Sequence, residues 1–333
     1  MEKKTLFTSD PLKLEFLRDL AENSSAGYNL HNIFCIFHKN NIFYLLYFTE
    51  DSSIITYDLT NRSVVNEKKN AHEKHVTSLD HVKVDGKDII MSVSCEDNNV
   101  KLWDFNNWEC ILDLKNVNPN GVLRGSCFLK DNDKYYIVTS NSRIQYLYEG
   151  FTPDPIKIYD LQGNKVKEIA GSNDDTLFVD VYYADKKKYI VACNDKNLKA
   201  YDYEEGKLFK TFIETDLSNY MAIIHREGEV TKLIGSNYDG KVRIWNFNSG
   251  ELLNTFNVHE DYIYGICLWD NKHLFVCCGK KIKLVDLSNG NALKTLEGQE
   301  SLVLAMEKVV VPDYGDCLIS EGVEKIKLWK INA

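Results

Sequence analysis

The chain has 333 residues, of which 44% are hydrophobic, a formal net charge of −9 and a pI near 5.5. That apolar content supports a packed core, and the acidic balance argues against a general nucleic-acid binder. Nine scattered cysteines (35, 95, 110, 127, 193, 267, 277, 278 and 317) form no CxxC pair, which leaves zinc or thioredoxin-type chemistry without support.

Most cysteines fall inside strand-like runs, so they read as small buried hydrophobes in a reducing compartment. The first residues, Met-Glu-Lys-Lys-Thr-Leu-Phe, carry charge but no apolar h-region, so no secretory signal is expected. The longest aromatic-aliphatic run, Ile42 to Phe48, falls far short of a membrane span. The expectation is a soluble intracellular protein, cytoplasmic with the nucleus left open, that binds neither membrane nor nucleic acid.

Seven short segments share one pattern: two β-formers flanking a polar residue, then usually an aromatic, then usually Asp or Asn. They are 55–59, 101–105, 157–161, 199–203, 243–247, 283–287 and 327–331. Their central residues are Tyr57, Trp103, Tyr159, Tyr201, Trp245, Val285 and Trp329, with steps of 46, 56, 42, 44, 40 and 44 residues. A period near 44 marks a repeat architecture, so the whole length 1–333 is expected to be one domain. Each unit holds further β runs. In the second, Val76 to Val82 and Asp88 to Ser94 precede Val100 to Phe105, and Glu109 to Leu114 follows. The fifth repeats this with 220–224, 231–235, 242–247 and 252–256. Four short strands bounded by Asn, Asp and Gly turns make a meander, or one propeller blade.

With these residues in view, the chain resembles the WD40-repeat family from about residue 12 to 332. The resemblance implies an all-β, seven-bladed propeller of four-stranded antiparallel blades. Trp-Asp is intact only at Trp103-Asp104; Trp245-Asn246 and Trp329-Lys330 are partial. His72 and His259 keep the family's spacing to Val76 and Ile263, and Gln299 keeps it to Val303 without the His. The family's Asp in the b–c turn matches Asp51, Asp97, Asp195 and Asp239. Such an Asp can accept hydrogen bonds from turn amides and from the d–a loop His. Only unit two holds the full set: His72, Asp97, Trp103, and Ser92 or Ser94. These are repeat residues with a structural role rather than a catalytic one.

The seventh unit has no outer strand after Trp329. Residues 12–20, with Leu12, Leu14 and Phe16 alternating, resemble outer strands elsewhere and are expected to complete that blade. Function is then sought in the loops. The b–c connection of blade three carries an insertion, 141–155, with Tyr146, Tyr148 and Phe151 as candidate partner anchors; packing of these rings back on their own blade is the alternative. Acidic residues also gather on the same rim, which would steer a basic peptide or loop toward the disc. Candidate partner-binding residues there are Glu73, His75, Glu96, Tyr238, Glu260 and Tyr262.

No phosphate loop, nucleophile elbow or metal-spaced cluster occurs, so neither an enzyme nor a cofactor is expected. The favoured reading is a non-catalytic protein-interaction scaffold within a larger complex. A channel-sited enzyme or small-molecule binder is the alternative. A ubiquitin-ligase substrate receptor is a sub-case, but the family's Trp-Asp-x-Arg box is absent: the chain reads Trp103-Asp104-Phe105-Asn106.

Overall fold

The computed structural model describes residues 13–22, 34–119, 121–142, 154–172, 175–184, 187–194, 197–213, 219–260, 262–297, 299–311, 314–322 and 325–332. These residues form 28 β-strands in seven four-stranded antiparallel sheets, with no helix among them. Six sheets are simple meanders, strands a to d in chain order. The seventh runs Lys13–Glu22, Lys325–Asn332, Gly315–Gly322, Val303–Val311. Its outer strand comes from the start of the chain, pairing Lys13 with Asn332 and Glu22 with Lys325.

Burial follows position in the blade. Strand b of blade two (Lys87–Ser94) is buried at every residue after the first, because neighbouring blades cover both of its faces. Outer strands such as Glu109–Leu114 and Leu252–Asn257 are largely exposed. All seven central repeat residues, Val285 included, are buried. Each lies opposite a strand-b aliphatic: Leu45, Ile90, Ile137, Ile190, Leu233, Leu274 or Leu318. One apolar cluster joins Leu45 of blade one to Ile319 of blade seven and Trp103 of blade two.

The Asp or Asn after each central residue has a local cause. Asp58 Oδ1 accepts the Thr60 and Asn61 N–H groups at 2.8 Å, and Asp286 accepts Ser288 N–H at 2.7 Å. Asp104, Asp160, Asp202 and Asn246 bond their own c–d turns likewise. These turns close on a left-handed residue, Gly163, Gly206, Gly250 or Gly290 in four blades, but Arg62 and Trp108 in blades one and two. Lys330 breaks the pattern in blade seven, where no c–d turn exists to be bonded.

Two expectations need adjustment. The N-terminal strand spans Lys13–Glu22 rather than 12–20. Seven of the nine cysteines are buried, but Cys110 is exposed and Cys95 partly so, since Cys110 lies on an outer strand.

Glu321, on strand b of blade seven, is completely buried, and neither carboxylate oxygen has a hydrogen-bond partner among the described residues. It lies near Tyr47 of blade one, and burial pushes its carboxyl well above the ordinary glutamate range. Above the unfolded pKa of about 4.3 folding therefore takes up a proton, and stability falls with rising pH at up to about 1.4 kcal/mol per unit. Glu321→Gln should be more stable than the parent at pH 8, with the difference shrinking toward pH 4 in urea titrations. Deleting residues 1–22 should leave blade-seven backbone groups unpaired at roughly 1 kcal/mol each, seen as a lowered thermal midpoint. An unchanged midpoint would show that the seventh blade does not need that strand.

Candidate functional site

In blade two Trp103, Ser92 and His72 form one hydrogen-bonded chain, and Asp97 stands just beyond its end. The Trp103 indole Nε1–H donates to Ser92 Oγ at 2.8 Å, and Ser92 Oγ lies 2.8 Å from His72 Nε2. The hydroxyl accepts from Trp103, so its own proton is left for Nε2. That places the ring proton on Nδ1, which faces Asp97 Oδ2 at 3.6 Å. Asp97 Oδ2 also accepts the Glu73 and Lys74 N–H groups at 2.9 and 3.1 Å, tying the d–a loop to the b–c turn. Burial, with Lys101 adding to it, lowers the His72 pKa to about 4, so the imidazole is neutral at physiological pH. A neutral, enclosed His whose neighbours are a hydroxyl and a turn carboxylate is a fastening. It is not a general base facing a substrate.

Other blades keep fragments of this chain. In blade seven Trp329 Nε1–H donates to Ser320 Oγ at 2.7 Å, and the Gln299 side-chain amide lies 2.6 Å from the same oxygen. Gln299 thus stands in the place of His72, a substitution the spacing to Val303 signals. In blade five Trp245 is buried, but Gly235 occupies the Ser92 position; a Cβ there would lie 3.1 Å from the indole ring. Asp239 takes the Arg243 guanidinium instead, at 3.2 and 2.5 Å. Burial alone would raise its pKa, but Arg243 outweighs that and holds it below the usual range. Asp51 stays within its own turn, accepting Thr49 Oγ1–H and Ser53 N–H, so it reaches no His. His259 anchors through its backbone N–H to Gly240 O at 3.0 Å, and in its blade Val285 replaces the indole donor. Asp195 lies outside the described residues, as do Tyr146, Tyr148 and Phe151.

The d–a loops and b–c turns emerge on one face, the top. Glu73, His75 and Glu96 are exposed there at blade two. Across the ring, Tyr238 on the b–c turn of blade five meets Tyr262, just before strand a of blade six (Ile263–Leu268), with centroids 4.8 Å apart and planes at 72°. Tyr264 joins edge-on at 6.2 Å. Tyr262 is 48% exposed, Leu302 in the equivalent place before blade seven is 39% exposed, and Glu260 is exposed beside them. Tyr264 and Leu302 were not among the sequence candidates; the period-two pair Tyr262/Tyr264 was the available signal. The blade-two residues are not brought to this patch.

The channel wall holds a second arrangement. Cys35, Asp80, Cys127, Asp180, Ile223, Cys267 and Glu307 each immediately precede the strand-a residue level with the central repeat residue. Thiols and carboxyls thus alternate around the ring, interrupted only at blade five. The thiols are covered, whereas Asp180 and Glu307 open onto the channel with protein walls behind them. Those walls push Asp80, Asp180 and Glu307 up to about 7, 6 and 7. Burial also raises the thiols of Cys35, Cys127 and Cys267, and no group of three donors among the described residues can hold a metal.

Trp103→Ala should lower stability by about 3–5 kcal/mol, because it removes a buried aromatic. Ser92→Ala should cost about 1–3 kcal/mol by leaving the buried Trp103 indole N–H unpaired, and Asp97→Ala about 1 kcal/mol by removing the acceptor of the exposed Glu73 and Lys74 N–H groups. Denaturant midpoints check the order, and an Asp97→Ala midpoint below that of Trp103→Ala would overturn it.

The family description "WD domain, G-beta repeat" matches residues 65–104, which hold His72, Ser92, Asp97 and Trp103 of blade two. The protein is 22% identical over 196 residues to the U3 small nucleolar RNA-associated protein 15 homolog of Xenopus tropicalis, covering 59% of this chain and 35% of that protein. It is 24% identical over 186 residues to autophagy-related protein 16 of Arabidopsis thaliana, covering 56% and 33%. A third similarity, 26% over 141 residues, is to nuclear distribution protein PAC1 of Eremothecium gossypii, covering 39% and 30%. The chain thus matches about a third of the length of these curated relatives. WD40 propellers are typically protein-interaction scaffolds and generally non-catalytic. With its sevenfold phase, its seven four-stranded blades and the Trp–Ser–His chain of blade two, the protein is a seven-bladed β-propeller similar to the WD40-repeat proteins, with one repeat, residues 65–104, matched by the family's model.

Proposed function

We propose that the protein is an adaptor that receives a basic peptide or loop of a partner protein on the top face of the propeller, as a subunit of a larger intracellular assembly. The observation that carries this reading is the Tyr238, Tyr262 and Tyr264 cluster near Glu260, with Leu302 exposed at the equivalent position before blade seven. Aromatic side chains with an apolar body and a polar tip are favoured interface anchors, contributing about 2 kcal/mol or more when desolvated. Exposed Glu50, Glu73, Glu96 and Glu260 on the same face supply a negative rim that speeds encounter with a basic segment. The three relatives carry names from three different cellular tasks, so none of those tasks transfers to this chain.

Affinity purification from native lysate with quantitative mass spectrometry tests the reading. The Tyr262→Ser/Leu302→Ser double variant should lose partners that the parent recovers. Leu208→Ser/Leu252→Ser, on exposed outer strands, should keep them. Charge reversal at Glu73 and Glu260 should weaken capture mainly at low ionic strength. Equal recovery by the top-face double variant, at normal yield, would move the site elsewhere on the disc.

A further inference from the structure

Where the inner strands of blades four (Thr176–Ala184) and five (Asn219–Glu227) meet, the channel wall opens into a cavity of about 270 Å³. Phe178, Tyr182, Met221, Ile223 and Ile224 line it, together with one carboxyl, that of Asp180. Between blades two and three the equivalent carboxylate closes the gap. Asp80 Oδ1 accepts its neighbour's His81 N–H at 2.7 Å, while Oδ2 reaches across to Phe128 N–H at 2.9 Å. At blades five and six the Met221 sulfur accepts Ile266 N–H across the gap at 3.4 Å. Asp180 makes only the first kind of bond, accepting Val181 N–H at 2.7 Å. Its second oxygen meets no donor and no cation among the described residues. The ring position facing it is Ile223, a side chain that can neither bond nor neutralise it.

The chemistry of these walls selects an occupant. An anion is repelled, a neutral aliphatic group leaves the carboxylate unmatched, and a metal ion lacks a set of three donors among the described residues. The volume lies just below the range of about 300 Å³ at which small-molecule pockets begin, which suits a single side chain. We propose that this cavity takes the aliphatic stem and cationic head of a lysine or arginine side chain, with Asp180 as its counter-ion. This rests on the adaptor reading and names the residue type by which a basic segment engages the channel. Methylenes lie along Met221, Ile223 and Ile224, as long cationic side chains commonly lie on apolar surface. The head group donates to the open Asp180 oxygen in a charge-assisted hydrogen bond.

The chain has four methionines, and Met221 is on the cavity wall, so selective ¹³C-methyl labelling of methionine gives a direct reporter. The probes are capped tripeptides, acetyl-Gly-Xaa-Gly-amide, with lysine, arginine or norleucine at the centre. The Met221 methyl signal should shift saturably with the lysine or arginine peptide and not with norleucine. Asp180→Asn keeps an acceptor for Val181 N–H but removes the charge, and it should weaken binding about tenfold or more. Ile223→Phe, which fills the cavity and keeps the charge, should also block binding. Unmoved Met91 and Met306 signals report an intact fold in either variant. The proposal is overturned if no cationic peptide moves Met221, if norleucine moves it equally, or if both variants bind as the parent does. If the peptides fail while the Tyr262→Ser/Leu302→Ser variant still loses its partners, the cavity assignment falls and the top-face reading stands.

Discussion

Everything in this molecule depends on covering both faces of each blade. A four-stranded sheet with an apolar strand b is unstable alone, since each face needs a neighbour to exclude water. In a ring every blade supplies that cover to two others, so the arrangement holds only if the last blade meets the first. The seam between blades seven and one is therefore where local sequence and global closure must agree. It is strengthened by Ile319 and Leu328 packing with Leu45. On the same face it is weakened by Glu321, a carboxyl enclosed without a hydrogen-bond partner among the described residues. Closure makes the environment of Glu321 dry, and its proton is the consequence.

Much of this was legible in the sequence. The seven-residue motif combines two local demands, a buried ring facing strand b and a short acceptor bonding the c–d turn. Both act over a few residues and leave a mark in linear order. Lys330 is instructive, because the acceptor disappears where the outer strand arrives from a distant part of the chain. The Trp103, His72 and Asp97 set was legible for the same reason, although the choice of Ser92 over Ser94 needed the register of strands b and c. Asp51 and Asp239 sat at the expected turn positions, yet their partners differ, since Thr49 and Arg243 offered nearer donors.

The channel ring was not legible. Its members are separated by intervals that vary with each loop, from 40 residues between Cys267 and Glu307 to 53 between Cys127 and Asp180. No linear pattern links a thiol in one blade to a carboxyl in the next. They become neighbours only because strand-a registers align around the axis, and several of those registers pass through bulges. The top-face cluster was half legible: Tyr238 and Tyr262 could be placed on loops, but their ring contact joins two different blades and leaves no mark in linear order.

The origin of the seventh outer strand also has a mechanical side. Lys13 lies directly opposite Asn332, and the pairs that follow, Leu14 with Ile331 and Glu15 with Lys330, run inward from there. A force separating residues 13 and 332 would act across the strands rather than along them. The backbone bonds would then be loaded one pair at a time, as in a zipper, and not all together as in shear. A ring that resists heat through many simultaneous contacts would thus yield to tension at a single blade, with the remaining six released only after that strand has peeled away.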